Sequence, residues 1–540
     1  MATTRRVLMV GLDGYDPVLG ERLMAEGELP ELQALKERSA RFELEHGTAK
    51  RSGLAWEHVS TGRSPEAAQR WAAVHFNPHD YAVWQEPTKL APFPASLAAK
   101  TVVFDPPYFD LGKAPLVRGV VAWGAHDPGT PAAARPEMIG RELAERFGPY
   151  PAARWIYGFV WPSPEQTKAM GEALVKAVDT RAVAACWLFR DALPDWDLGY
   201  MVVSELHSAA EALWHGIDAD HPLHGHASAG PAGEGLRAVY RAVDGLVGRL
   251  VEAFPEVTLV AFNLHGMGPN ASDLPSMVLL SELLLKQAKG TGVLRSATRA
   301  GGDSAVLEIP AGQTWGEMMD AAMTIARPKR RRPPTRIERA MSLFRQRGPG
   351  SAGSRSAGPG LGWMPASRYG DYWPTMSAFA LPSFYDGRVR INLAGRERRG
   401  LVAAADYNRA CDEVEQLVRE CRDTRTGEPV VESVERVTGR DPLTLGETEA
   451  DLVFVWRGSA AGFDHPRLGR IGPLPFRRTG GHTGGAGMAY VSGPGILAGE
   501  RGRRGAFDVA PTVVELVGEA PPEWMSGESF AGAVVGGVEA

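Results

Sequence analysis

Short, nearly continuous apolar runs alternate along this chain with longer segments of helical periodicity. The runs fall at 7–12, 101–105, 117–123, 199–203, 257–262, 451–456 and 489–496. Runs of this length without polar alternation are typical of strands buried on both faces of a parallel sheet. Helical spacing predicts helices over 17–38, 136–147, 164–192, 233–253, 407–422 and 508–516, while Asp386 to Leu393 reads as a hairpin-like strand. Strands that alternate with helices in this way predict an α/β fold, a mostly parallel central sheet flanked by helices.

The residues that end these runs carry the candidate chemistry. The first run closes on Gly11-Leu12-Asp13-Gly14, so Asp13 lies just past the carboxyl end of a strand, where open α/β sheets place ligands. After 199–203 come Glu205, His207, Glu211 and His215, and on a helix starting near Glu205 the last three share a face. A His/Glu pair one turn apart is a sound metal-ligand geometry, and a solvated helix face reads the same way. The run 257–262 stops at Asn263-Leu264-His265-Gly266, and Arg477-Arg478-Thr479-Gly480-Gly481-His482 precedes the last run. Ala49-Lys50-Arg51-Ser52-Gly53-Leu54-Ala55-Trp56 sets one hydroxyl after a basic pair and ahead of a helix. Such a serine is either a helix cap or a nucleophile whose negative charge is stabilised by helix amides and cations. Oxygen and imidazole donors without a thiolate suit Zn²⁺ or Mn²⁺ better than an iron–sulfur or copper centre.

Composition narrows the picture. A chain of 540 residues with 44% hydrophobic and 23% charged residues can bury a large core. A net charge of −5 does not suit a nucleic-acid binder. No run approaches the roughly 18 apolar residues of a membrane span, and the first apolar run is too short for a signal-peptide core. Three cysteines make no disulfide framework, which fits a reducing compartment, and a cytoplasmic location is expected. High Ala, Arg and Gly suggest a GC-rich bacterial genome. Residues 327–362 form a basic, Gly/Ser/Pro-rich low-complexity loop. It falls within an expected insertion at 269–400, a cap or substrate region, between core segments 1–268 and 401–540.

In order and spacing, the motifs resemble the alkaline phosphatase superfamily, in its type I phosphodiesterase/nucleotide pyrophosphatase branch. The resemblance rests on Gly11-Leu12-Asp13-Gly14, Ser52-Gly53-Leu54-Ala55-Trp56 with Thr61-Gly62-Arg63-Ser64-Pro65, and Ser204-Glu205 through Trp214. It continues in His265-Gly266, Arg478 to His482, Gly493-Pro494-Gly495-Ile496 and Asp508 to Thr512. It implies an alkaline-phosphatase-like sheet with a large insertion and a metal-dependent hydrolase or transferase of phosphate esters. Phosphodiester or pyrophosphate bonds are the expected substrates. By the same resemblance Ser52 is the nucleophile, and Asp13, Ser52 and His265 form one cation site. His207, Glu211 and His482 form the other, for one or two divalent ions, Zn²⁺ before Mn²⁺. Two departures stand out: His207 and Glu211 replace the usual Asp and His, and Leu264 replaces an aspartate. Lys50, Arg51 and Arg478 are expected to clamp a small phosphate-containing anion, with Glu205 and His215 as further pocket residues. No nucleic-acid partner is expected, and the oligomeric state is open. The alternatives are a catalytically degraded scaffold of the same fold, supported by Leu264, and a sulfatase. The sulfatase reading is weakened because Ser52 lacks the Pro and Arg of a Ser-x-Pro-x-Arg motif.

Overall fold

Strand β1 (Val7–Leu12) lies at the centre of a nine-stranded sheet, and its side chains divide between two apolar layers. Leu8, Val10 and Leu12 face one layer, Val7 and Met9 the other, as the two-residue period of a strand requires. The remaining strands of the sheet, up to residue 265, are β2 (Ala40–Glu45), β3 (Thr101–Phe104), β4 (Arg118–Val121), β5 (Ala133–Arg135), β6 (Leu198–Val203) and β7 (Thr258–His265). The computed structural model describes residues 5–124, 130–157, 163–295, 307–310, 312–325, 361–436 and 440–535. Most of the basic run expected at 327–362 lies outside these residues.

A second sheet follows β7 in the chain. Its strands are β8 (Ala378–Leu381), β9 (Gly387–Ile391), β10 (Val431–Arg436) and β11 (Leu452–Trp456), all antiparallel in the order β8-β9-β11-β10. The insertion expected at 269–400 therefore shares its sheet with strands beyond residue 400. Strands β12 (Ala486–Ser492) and β13 (Gly499–Gly505) return to the large sheet, whose order is β13-β2-β12-β7-β1-β6-β3-β4-β5. Only β12 and β5 run against the others, so the sheet is mostly parallel, as the unbroken apolar runs predict.

Helices cover both faces. On the Leu8 side lie α1 (Pro17–Ala25), α3 (Pro164–Cys186) and α5 (Ala229–Ala253); on the Val7 side lie α2 (Ala55–Thr61) and α6 (Val509–Leu516). The short helix α4 (Glu205–Leu213) is entirely buried. The helix expected over 17–38 is two helices, because Gly27 takes φ +79° and Pro30 starts the second, Pro30–Glu37. Among the described residues no helix is long and apolar enough to cross a membrane.

Candidate active site

The carboxyl ends of β1, β6 and β7 meet at one edge of the sheet. Asp13 leaves β1 and its amide donates to Val203 O at 3.0 Å, which ties the turn to the end of β6. Gly14 makes this approach feasible. It has φ +78°, and a Cβ there would lie 2.3 Å from both the amide nitrogen and Cα of His207. Asp16 fastens the same turn to the end of β7: Oδ1 accepts from Leu19 N at 2.8 Å and Oδ2 from Met267 N at 3.0 Å. Burial raises the pKa of that carboxyl, and the Leu19 and Met267 amides oppose the rise.

On this base four imidazoles line up. His207 Nδ1 lies 3.0 Å from Asp13 Oδ2, and His207 Nε2 lies 3.3 Å from His482 Nε2. His482 Nδ1 is 2.7 Å from His265 Nε2, and His265 Nδ1 is 3.0 Å from His46 Nδ1. Burial, then the neighbouring His482 and His46, holds His265 well below the usual histidine range; burial, helped by Lys50, brings His46 down to about 3. Both rings are thus neutral, the state in which imidazole is a metal ligand.

Glu211, one turn after His207 on α4, sets Oε1 at 3.2 Å from His207 Nε2. The same oxygen pairs with the guanidinium of Arg478. Arg478 Nε and Arg477 Nη1 both donate to Asp273 Oδ2 at 3.0 Å. Thr479 N donates to Glu211 O at 2.8 Å, so the segment that carries Arg478 and His482 is pinned to helix α4. Gly480 is needed for this contact, since a Cβ would meet Ala210 O at 2.1 Å. Burial lowers the Arg478 pKa to about 9.

A cavity of about 540 Å³ opens over the group, with Asp13, Lys50, His207, His265, Arg478 and His482 among its lining. Its walls are aromatic, from Trp56, Tyr108 and Tyr157 of the core, Trp363 ahead of the second sheet, and Phe384 and Tyr385 of the turn between β8 and β9. The Tyr385 ring meets His482 edge-on at 4.5 Å.

The structure thus brings Asp13, His207, Glu211, His265, His482 and Arg478 together, with Lys50 at the rim. Ser52 is buried at 5% exposure between two cavities: its neighbours Lys50 and Gly53 line the aromatic one, and Ser52 itself lines a second of about 400 Å³ with Arg51. The Ser52 hydroxyl accepts from Leu54 N at 3.1 Å, but Leu54 is the N-cap of α2 and no side chain caps that helix, so the helix-cap reading of Ser52 does not hold. Arg51 is spent on Glu435. Two expected pocket residues lie elsewhere. Glu205 is fully buried against Arg181, with Nε–Oε distances of 2.9 and 3.1 Å. His215 leaves the α4 row because the helix ends at Leu213 and tightens to a 3₁₀ turn, and its ring meets Thr479 and Ser228 instead.

The model of the type I phosphodiesterase / nucleotide pyrophosphatase family matches residues 7–346. The chain belongs to that family. Its members are phosphoric ester hydrolases, normally dependent on divalent metals. No curated protein matches the chain in sequence. Among solved structures it is similar to the phosphonoacetate hydrolase of Sinorhizobium meliloti 1021 in complex with phosphonoformate, at 14% identity over 95% of this chain and 96% of that one, TM-score 0.49. Human ectonucleotide pyrophosphatase / phosphodiesterase 5 is 11% identical over 98% of each chain, TM-score 0.47. Alkaline phosphatase PafA is 11% identical over 99% and 100%, TM-score 0.50, a likeness of fold.

Within the family frame, the donors His207, Glu211 and His482 fit a divalent cation. One ligand atom from each lies within 4.8 Å of the others, two imidazole nitrogens and a carboxylate oxygen. The other set is engaged differently: Asp13 with His207, His265 with His482 and His46, and Ser52 with Leu54. Leu264 packs with Trp56 and Phe262 in the apolar layer. Asn263 cannot replace the aspartate, since its Oδ1 accepts from Met488 N at 2.8 Å and its amide donates to Tyr15 O and His265 O. His46, Asp273 and Tyr385 were missed from sequence. For His46 a signal existed, because Ala40-Arg41-Phe42-Glu43-Leu44-Glu45 alternates strictly and ends in it.

Proposed function

We propose that this chain hydrolyses phosphodiester or phosphoric anhydride bonds with Ser52 as nucleophile, at a centre that holds one divalent cation, Zn²⁺ or Mn²⁺. The observation that carries the reading is the convergence of His207, Glu211 and His482, with the two histidines lining an aromatic-walled cavity. A bound cation would supply charge for the phosphoryl oxygens and lower the cost of the attacking alkoxide.

The imidazole row favours one cation over two. A ligand nitrogen carries no proton, so loading the triad leaves His207 Nε2 and His482 Nε2 bare. The His482 proton then sits on Nδ1 and is donated to His265 Nε2, and His265 Nδ1 donates to His46 Nδ1. Both nitrogens of His265 are engaged in that arrangement, and none is left for a second ion. His207 Nδ1 keeps its proton for Asp13, which orients the ring as a carboxylate behind a ligating histidine does.

Ser52 would turn its hydroxyl from Leu54 N toward the cavity and attack phosphorus, losing its proton to solvent in the cavity. The bond from phosphorus to the leaving oxygen breaks as the leaving group takes up a proton. Water then attacks the phosphoserine, which releases the phosphate product and restores the Ser52 hydroxyl. Lys50, whose pKa burial and Arg51 lower, faces the transferring group, and the aromatic walls take a flat or apolar leaving group. Metal analysis combined with hydrolysis of bis-p-nitrophenyl phosphate tests this. About one equivalent of metal, with turnover lost in Ser52→Ala and metal retained, is expected. Undiminished turnover in Ser52→Ala, or silence toward phosphate esters with added Zn²⁺ and Mn²⁺, refutes it.

A further inference from the structure

Arg478 poses a problem of charge. Its guanidinium is 3% exposed and lies on the carboxylate that completes the cation triad. The shared atom is Glu211 Oε1, which also faces His207 Nε2 at 3.2 Å. A buried guanidinium and a divalent ion on one carboxylate oxygen repel strongly, because few waters screen them. Glu211 itself is fully buried, so without either cation it would be left as an uncompensated charge.

The surroundings give Arg478 a second place to go. Its Nε is held by Asp273 Oδ2 at 3.0 Å, independently of Glu211. Asp273 is fixed in turn, with its amide donating to Asn270 Oδ1 at 2.9 Å, and Asn270 N donates to Thr479 O at 2.8 Å. The stem of Arg478 is therefore anchored while the end of the guanidinium can leave Glu211. Arg478 also lines the aromatic cavity, so the movement carries its charge toward the space over His207 and His482.

From these contacts we infer that Arg478 and the divalent cation are alternative partners of Glu211, so that loading the triad hands the guanidinium to the anionic substrate. The inference rests on the proposed function and deepens it. In the unloaded protein Arg478 keeps the buried glutamate neutralised. In the loaded protein the same guanidinium, still tethered to Asp273, becomes a donor for phosphate oxygens. Arg478 thus sets the affinity for the metal.

The test is Zn²⁺ titration of the full chain, stripped with a chelator, followed by calorimetry. Wild type, Arg478→Met, Glu211→Gln and the double variant are compared. Removing the competing guanidinium tightens Zn²⁺ binding by roughly ten- to a hundredfold, the range of coupling between groups in direct contact. In the Glu211→Gln background the same substitution changes affinity less than about threefold, because there is no shared carboxylate to contest. If Arg478→Met does not fold without metal, Arg478→Gln carries the comparison. An affinity indifferent to Arg478, or an equal gain with and without Glu211, overturns the inference. Hydrolysis of bis-p-nitrophenyl phosphate is read in parallel to separate the two readings. Ser52-dependent turnover with Zn²⁺ affinity indifferent to Arg478 overturns the inference alone. The expected affinity gain without turnover supports the inference and overturns the function. No Zn²⁺ binding by any of the four proteins overturns both.

Discussion

Replacing Arg181 by Met asks whether Glu205 anchors helix α4 or serves the site. The Arg181 side chain has no exposure and joins Glu205, through Nε at 2.9 and 3.1 Å, to Asp105, through Nη1 at 3.0 Å. Two unit charges about 3 Å apart interact by about 5 kcal/mol at an effective dielectric near 20, and desolvation takes back much of that. Removing one partner of such a pair costs about 3–5 kcal/mol, because the opposite charges stay buried. The lower end applies here. Glu205 keeps the Tyr150 hydroxyl at 3.1 Å, and Asp105 keeps the amides of Trp123 and Gly124, both at 2.8 Å. Hydrogen exchange is the sharper assay, since a chain with several apolar layers need not unfold in one step. A loss of about 3 kcal/mol corresponds to exchange on the order of a hundredfold faster across Glu205–Leu213, the helix that carries His207 and Glu211. Exchange within about threefold of wild type would show that the ion pair contributes almost nothing to holding α4.

Three further outcomes are expected. Gly14→Ala forces a side chain against the His207 backbone at 2.3 Å in a left-handed conformation, and Zn²⁺ affinity falls at least about tenfold; calorimetry that finds wild-type affinity would mean the turn is not what places His207. Burial, then the His221 and His226 charges, brings His215 to about 3, and burial brings His221 to about 4. Unfolded histidines bind protons near pH 6.5, so the unfolded state takes up more protons below that value. Stability is full above pH ~6.5 and falls toward pH ~4, by up to about 1.4 kcal/mol per pH unit for each ring. Urea midpoints at pH 7, 6 and 5 should fall less steeply in His215→Gln, and parallel slopes would count against the linkage. Lys50→Ala is expected to raise KM for bis-p-nitrophenyl phosphate about tenfold with kcat changed less, since a half-buried cation lining the cavity acts mainly on binding the anion; an unchanged KM would remove Lys50 from the site.

What was legible in the chain follows from the range of the forces involved. The central sheet announced itself because buried parallel strands are continuous apolar runs, and residues just past their ends project at one edge. Asp13, His207, Glu211, His265 and His482 could therefore be named from sequence and found together. Periodicity carries less where a local bond competes with it: a 3₁₀ turn after Leu213 takes His215 out of the row, and an arginine from helix α3 claims Glu205. Arg181 lies 24 residues from that glutamate, and no pattern at helical spacing could have joined them. The aromatic wall of Trp363, Phe384 and Tyr385 is longer-range still, since these residues meet Asp13 and His207 around one cavity from far along the chain.

Leu264 shows how these ranges combine. From sequence it reads as a lost ligand and thus as a weakened enzyme. In the fold it is one member of the apolar layer with Trp56 and Phe262, beside a histidine whose two nitrogens are already committed to His482 and His46. A second cation there would lack a carboxylate and would have to break an imidazole contact to gain a ligand. Arg478, released from Glu211 when the triad is loaded, would supply positive charge over the first site instead. Substituting Asp for Leu264 alone should then fail to create a second Zn²⁺ site, whereas Leu264→Asp with His46→Ala frees His265 Nδ1 and should bind a second equivalent. Two equivalents in the single variant would show that the carboxylate was all the second site lacked.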